Sequence, residues 1–222
     1  FATANYRLPT SNDVELWVPK RFNKIKEDPF EYYNIEKNFK IRKILCIDFL
    51  VINKGPLGFW LTEISFLFFV AFYLIGFKED IIYTRDKFVA LFLSFFKNNI
   101  YLEEHTVPAE LFFSRIKKLK GIILVTNNLR KIFQERGIAP EKILVAPDGV
   151  DLEEFNIKTS QEECRKKLNL PLNKRIVMYT GSLLPWKGVD TLYKATKYLS
   201  GDIIIYIVGG SEKEFSIFPP TG

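Results

Sequence analysis

A lysine in a glycine-bounded loop is the side chain of this sequence best placed for chemistry. Residues 176–180 are β-branched and apolar, which predicts a buried strand, and Gly181 begins the loop that follows. Asp190 or the residues just before it are predicted to cap the next helix. A flexible ammonium such as Lys187 beside a helix N-terminus suits a diphosphate, because two negative charges must be held there. Alternatively, Gly181 and Gly188 only shape the loop and Lys187 is a solvated surface lysine.

Two further glycine motifs flank this loop and together with it carry a family resemblance. Upstream, the apolar residues 143–146 precede P-D-G-V-D at residues 147–151. Downstream, the apolar run 203–208 ends at two glycines. With G-S-x-x-x-x-K-G-V-D at residues 181–190 between them, this order resembles the central portion of retaining glycosyltransferases of family 4. The resemblance implies an α/β protein of GT-B type, with two facing Rossmann-like domains.

The resemblance also implies roles for the residues of these motifs. Lys187 would stabilise the leaving diphosphate and so have a catalytic role. Ser182 stands where many members have arginine, which would leave more of the charge neutralisation to Lys187. Asp148 stands where asparagine is commoner, and Gly149 is expected to give the backbone freedom for a tight turn near substrate. The implied donor-binding residues are Gly181, Ser182, Lys187, Gly188, Gly209 and Gly210.

His105 is the only histidine of the chain. A lone histidine is commonly a structural hydrogen-bonding residue, but the resemblance implies a catalytic position for His105 near the donor sugar or its diphosphate. The adjacent Glu103 and Glu104 point to opposite faces of a strand end, so at most one shares the side of the histidine.

A second cationic side chain follows the predicted strand at residues 80–84. Arg85 would lie at the carboxyl end of that strand, where open α/β sheets bind ligands. It is expected either to contact an acceptor or phosphate, or to form a salt bridge with Asp80 or Asp86.

The predicted domain organisation follows the motifs. Residues 1–155 are expected to form a nearly complete N-terminal, acceptor-side domain without its first strand. Residues 156–172 form the inter-domain segment, and residues 173–222 begin the C-terminal nucleotide-sugar-binding domain. The abrupt ends predict a fragment. Within it, strands are predicted at 13–19, 39–47, 100–102, 122–125 and 142–146, and helices at 87–96, after Asn127 or Asn128 up to Gly137, and at 161–168.

Residues 57–77 are apolar and long enough, at about 20 residues, to span a bilayer as a helix. Glu63 opposes this, because a carboxylate near a helix centre costs about 2.5–3.5 kcal/mol on insertion scales. The alternatives are a transmembrane helix and a buried or partly membrane-seated helix of the N-terminal domain. Residues 114–120 carry four basic side chains, which form either a patch for anionic lipid or a solvated helix face.

Composition limits the classes of function. The chain has 222 residues, of which 47% are hydrophobic and 15% aromatic, and this excludes a disordered or fibrous protein. The net charge of +6 favours anionic partners. Cys46 and Cys164 are far apart and indicate a reducing compartment. The resemblance implies a reaction without a bound metal or a further cofactor, the nucleotide diphospho-sugar being a substrate. One histidine, two distant cysteines and no clustered carboxylates agree with this, because they offer no metal-ligand set.

The implied activity is that of a hexosyltransferase type of enzyme. It would transfer a sugar from a nucleotide diphospho-sugar to the hydroxyl of a saccharide or lipid-linked acceptor, with retention and in cell-envelope polysaccharide or glycolipid synthesis. The expected location is cytoplasmic, with peripheral contact at the anionic inner face of the cell membrane. The paired glutamates of the family are missing, so the fragment is expected to be inactive alone.

Three alternatives are weighed. One is a non-catalytic remnant or a half that requires a partner polypeptide, and another is a sugar-nucleotide epimerase of GT-B type. Nucleic-acid binding is disfavoured, because the basic residues are dispersed and no recognised motif is present.

Overall fold

The computed structural model describes residues 14–22, 25–76, 81–150, 152, 155–211 and 214. The predicted features at Asp13, Asp80 and Asp151, and the chain after residue 214, lie outside these residues. The chain divides into two compact units, Phe1–Phe155 and Asn156–Gly222, and each is described by itself.

Parallel strands alternate with helices in the first unit, as the periodicity predicts. In chain order its elements are β1 (Glu15–Pro19), α1 (Pro29–Tyr32), β2 (Lys40–Ile44), α2 (Pro56–Ile75), β3 (Ile82–Thr84), α3 (Lys87–Leu93), β4 (Ile100–Glu104), α4 (Phe113–Ile116), β5 (Gly121–Leu124), α5 (Asn127–Glu135) and β6 (Ile143–Val145). The second unit contains α6 (Gln161–Lys167), β7 (Arg175–Thr180), α7 (Val189–Ala195) and β8 (Ile203–Val208).

Every strand pair among the described residues is parallel. In the first unit, β1 pairs with β2, and a four-stranded sheet has the order β3-β4-β5-β6. In the second unit, β7 pairs with β8 along its full length, from Arg175 opposite Ile203 to Thr180 opposite Val208. Parallel strands need helical crossovers, which confirms the predicted α/β class.

The interior of the four-stranded sheet is built from aliphatic side chains and one aromatic pair. Leu102, Ile122 and Leu124 are fully buried. Phe133 of α5 is fully buried and lies 5.1 Å from Phe113, measured between ring centroids. Such burial stabilises the unit mainly by removing apolar area from water.

A glycine accommodates an aromatic ring between the two central strands of this sheet. Tyr101 of β4 lies directly opposite Gly121 of β5. A Cβ atom added to Gly121 would lie 2.7 Å from the ring of Tyr101. The ring therefore occupies the space that a side chain would fill at residue 121.

Helix α2 is the long apolar element expected at residues 57–77. It follows Gly55, and Gly58 lies so close to the preceding chain that an added Cβ atom would be 1.9 Å from the carbonyl oxygen of Asn53. One side of the helix packs on β2 and α3 and buries Thr62, Val70 and Leu74. Within the described part of the chain, α2 is the one helix long and apolar enough to cross a membrane by length and composition alone.

Glu63 of α2 faces the start of α3. Asp86 caps α3 by accepting hydrogen bonds from the backbone N–H groups of Phe88 and Val89. Burial, with a hydrogen bond to Asp86 and the charge of that carboxylate, raises the pKa of Glu63 to about 7. Its Oε1 atom has no hydrogen-bond partner among the described residues. The carboxyl therefore favours its neutral form in the folded protein.

This raised pKa predicts a pH-dependent stability. Below the unfolded-state pKa near 4.5 both states are protonated, and between about 4.5 and 7 the folded state binds more protons. The free energy of unfolding is therefore expected to fall as pH rises through this window. Glu63→Gln should flatten the profile and stabilise the protein at pH 8 by about 1 kcal/mol, after allowance for solvent screening. Urea denaturation across pH measures this, with Glu162→Gln as an exposed control, and an unchanged slope in Glu63→Gln would contradict it.

One helix start differs from the sequence prediction. Thr126, rather than Asn127 or Asn128, caps α5, because its hydroxyl accepts the N–H of Leu129. For α7 the second predicted alternative is confirmed, since Gly188, just before Asp190, occupies the capping position and Asp190 lies inside the helix. The predicted stop at Gly137 is confirmed, since this glycine has φ = 80°, in the left-handed region.

Candidate functional site

The loop after β7 is held against the end of β8 by close backbone contact. The N–H of Gly181 donates to the carbonyl of Val208 at 2.9 Å. A Cβ atom added to Gly209, where φ is +123°, would lie 2.1 Å from the carbonyl oxygen of Gly181. Gly209 therefore has to be glycine for the two strand ends to approach each other in this way.

The next residues of the loop are fixed by a tyrosine and a buried leucine. The hydroxyl of Tyr179 donates to the carbonyl of Ser182 at 2.7 Å. Leu183 is buried, and a Cβ atom at Gly210 would lie 2.6 Å from its Cγ. Ser182 itself is exposed, and its carbonyl is engaged by Tyr179. Tyr179 is not among the predicted site residues, although its position two residues before Gly181 is a usable signal.

Lys187 ends a short 3₁₀ turn, Pro185–Lys187, that leads into α7. Gly188 follows in the left-handed conformation with φ = 71° and, having no side chain, gives α7 no side-chain cap, while its carbonyl accepts hydrogen bonds from the N–H groups of Thr191 and Leu192. Lys187 is exposed, and no carboxylate of the described residues lies within salt-bridge distance of it. Asp190 instead pairs with Lys194 at 3.3 Å, and this hydrogen bond lowers the pKa of Asp190. Trp186, next to Lys187, is 75% exposed.

A separate polar cluster lies within the first unit, where strands of the four-stranded sheet end. The Nε2 atom of His105 lies 2.5 Å from Oε1 of Glu103, and the Nε atom of Arg85 lies 3.4 Å from the same oxygen. Arg85 Nη2 lies 3.4 Å from Nδ1 of His105. A carboxylate oxygen of Asp148 joins them, with the ligand atoms of Glu103, His105 and Asp148 within 4.8 Å of one another.

The partners of His105 define its tautomer. A guanidinium only donates hydrogen bonds, so Nδ1 facing Arg85 is an acceptor, and Nε2 carries the hydrogen donated to Glu103. Both ring nitrogens are therefore engaged. His105 contacts a substrate through a nitrogen only when it gives up one of these partners.

Two expectations for this cluster need correction. Arg85 pairs with Glu103 rather than with Asp86, which caps α3 instead. Carboxylates do cluster with the histidine, contrary to the sequence analysis, because the fold brings Asp148 to Glu103 and His105. The guanidinium of Arg85 supplies a positive charge beside these groups, which opposes cation binding there.

Glu104 is the second of the two adjacent carboxylates. It is buried, its Oε1 atom has no partner among the described residues, and burial raises its pKa while Lys87 and His105 act in the opposite direction. Gly149 differs from expectation. It has open space around it and no left-handed φ, so its backbone requires no glycine.

Comparison with known proteins gives no matching family model. Among curated proteins, a D-inositol 3-phosphate glycosyltransferase from Mycobacterium bovis is 30% identical over 101 residues, 46% of this chain and 20% of that protein. The corresponding protein from Kineococcus radiotolerans is 31% identical over 70 residues, 32% of this chain and 16% of its own.

Solved structures extend the similarity over most of the chain. Anabaena HepE in complex with UDP matches with a TM-score of 0.59 at 15% identity, covering 85% of this chain and 51% of that one. The apo form of the lipopolysaccharide outer core galactosyltransferase WaaB matches with a TM-score of 0.50 at 17% identity, covering 81% and 49%. The chain has a GT-B-type fold. It spans about half the length of these GT-B structures.

Proposed function

We propose that this chain is part of a retaining glycosyltransferase of family 4, of hexosyltransferase type, acting in cell-envelope polysaccharide or glycolipid synthesis. It would transfer a sugar from a nucleotide diphospho-sugar to an acceptor hydroxyl. The curated relatives are named glycosyltransferases, one structural neighbour is named a galactosyltransferase, and the other contains UDP, which supports sugar transfer as the reaction class.

The loop around Lys187 is the observation that carries this proposal. The exposed ammonium of Lys187 stands in the loop at the carboxyl end of a parallel strand pair, where such sheets bind ligands. In the proposed reaction Lys187 holds the diphosphate and stabilises its charge as it leaves. Gly181, Ser182, Gly188, Gly209 and Gly210 would let the donor approach the backbone. No step requires a bound metal or a further cofactor.

The acceptor would be a saccharide or a lipid-linked saccharide, and nucleic acid is not among the proposed partners. We assign the Arg85, Glu103, His105 and Asp148 cluster to the transfer itself. His105 would exchange a partner in the cluster for the sugar or its diphosphate, and Arg85 would meet an anionic group of acceptor or donor. The proposed location is the cytoplasm, at the inner face of the cell membrane.

Nucleotide binding tests the donor site. One neighbour structure contains UDP and another UDP-glucose, so these two are the probes for calorimetric titration of the 222-residue chain. Lys187→Ala is expected to weaken UDP binding by about tenfold or more, since a hydrogen bond to a charged group contributes about 1.5–3 kcal/mol. Lys197→Ala removes an exposed lysine of the same unit and should leave the affinity unchanged.

Equal affinity of wild type and Lys187→Ala would refute the role of Lys187. A folded chain that binds none of a panel of nucleoside diphosphates would overturn the donor site and favour the non-catalytic half.

A further inference from the structure

Helix α2 exposes a continuous apolar stripe along its length. Six of its large side chains recur every three or four residues, which places them on one side of a helix. They are exposed by 38% to 83%. We call this set the apolar stripe: Leu57, Leu61, Ile64, Phe68, Phe72 and Ile75.

The packing of α2 determines how the stripe can meet a membrane. The opposite side of the helix buries Thr62, Val70 and Leu74 against β2 and α3. A helix fixed in this way cannot cross a bilayer while the unit stays folded, because one side would leave its protein contacts. It can, however, lie in the interfacial plane with the stripe in the acyl region.

The chemistry of the stripe distinguishes a bilayer from a protein partner. Protein interfaces carry a polar rim around an apolar centre. Among the 20 residues of α2, Glu63 is the only one with a charged side chain, and it faces Asp86. The exposed side of α2 therefore has aromatic and aliphatic groups and no charge, as lipid contact requires.

A series of aromatic contacts leads from α2 towards basic side chains of the same unit. Trp60 of α2 contacts Phe88, with 4.9 Å between ring centroids, and Phe88 contacts Phe112, which leads into α4. There Arg115 lies 4.3 Å from the ring centroid of Phe95. Lys118 and Lys120 follow as exposed residues. Each such charge near an anionic surface contributes about 1 kcal/mol.

We propose that the apolar stripe of α2 is the membrane-docking surface of this protein, lying flat in an anionic bilayer with the basic side chains after α4 against the lipid head groups. This rests on the proposed function at the membrane face and names the surface that provides it. Docking requires no sugar donor. Loss of vesicle binding can therefore be distinguished from loss of sugar transfer.

Vesicle co-sedimentation tests the docking surface. The chain is incubated with vesicles of phosphatidylcholine alone or mixed with phosphatidylglycerol, and the variant Ile64→Gln/Phe68→Gln/Phe72→Gln is compared with wild type. Binding to the mixed vesicles is expected to weaken by about tenfold or more in the variant. The matched control Leu168→Gln/Leu172→Gln/Tyr198→Gln removes three exposed apolar side chains of the second unit and should bind like wild type.

Site-specific fluorescence gives an independent measurement on α2. With Trp17→Phe and Trp186→Phe, Trp60 is the only tryptophan left, and its emission should shift to the blue on addition of mixed vesicles. Thermal melts establish that the triple variant is folded. Wild type that binds neither vesicle, or a folded triple variant that binds as wild type does, would overturn the proposal. So would a concentration-dependent dimer that the triple variant abolishes without any vesicle binding, since the stripe would then join two copies of the chain.

Discussion

Gly209→Ala is expected to destabilise the second unit by about 2–4 kcal/mol, because a side chain here combines steric overlap with an unfavourable backbone conformation. The added Cβ atom would lie 2.1 Å from the carbonyl oxygen of Gly181, and φ at residue 209 is +123°. The atoms nearest to this Cβ atom all belong to the backbone of Gly181, so no side-chain rotation relieves the overlap. The ends of β7 and β8 must separate, and nucleotide binding to the loop should weaken with them.

Hydrogen exchange of the β7 and β8 amides measures this effect within the second unit. Gly201→Ala is the matched control, since its Cβ atom meets nothing within 4 Å. It should leave protection unchanged or raise it slightly. If Gly209→Ala and Gly201→Ala gave the same protection, the close approach of the two strand ends would be wrong.

In the first unit, the largest loss of stability is expected for the replacement of Phe133. Its side chain is fully buried and packs on Phe113. Phe133→Ala should lower the free energy of unfolding by about 3–5 kcal/mol, the usual cost of a buried phenylalanine replaced by a cavity. Urea denaturation followed by circular dichroism provides the measurement.

Phe96→Ala serves as the comparison for this substitution. Phe96 is 66% exposed, so its replacement is expected to change stability by less than about 1 kcal/mol. The difference between the two variants isolates burial, because both lose the same atoms. Equal costs for Phe133→Ala and Phe96→Ala would show that α5 does not pack on the sheet as described.

Much of the fold follows from local sequence signals. The apolar runs at residues 122–125 and 176–180 give β5 and β7 to within one residue. The helix predicted at residues 87–96 begins correctly at Lys87, because Asp86 is a strong cap, but it ends at Leu93. The sequence has no helix-stop residue directly after Leu93, and the apolar residues Phe95 and Phe96 continue past the end of the helix.

The end of β4 was less predictable for a tertiary reason. The apolar run predicts a strand over residues 100–102. It extends to Glu104, since Arg85 and His105 compensate Glu103 and burial favours the neutral form of Glu104.

The candidate site residues likewise fall into those that the sequence predicts and those that it does not. The glycine and lysine positions of the second unit were predictable, because their motif is contiguous in sequence and its turn chemistry is local. The cluster of Arg85, Glu103, His105 and Asp148 was not, because its members come from separate segments of the first unit. Only the order of strands in the sheet brings these segments to one edge.

The tyrosine lying over Gly121 bears on how this edge is assembled during folding. Sliding β5 by two residues would place the side chain of Ile123 beneath the ring of Tyr101, where there is no room for it. Misaligned pairings of these strands are thereby discouraged while the sheet forms. Each residue of slippage displaces a strand end by about 3.3 Å, so an error of two residues would carry Asp148 out of reach of Glu103. Gly121 thus helps to set the register of β4 and β5. The polar cluster around His105 depends on this register, although Gly121 contributes no atom to it.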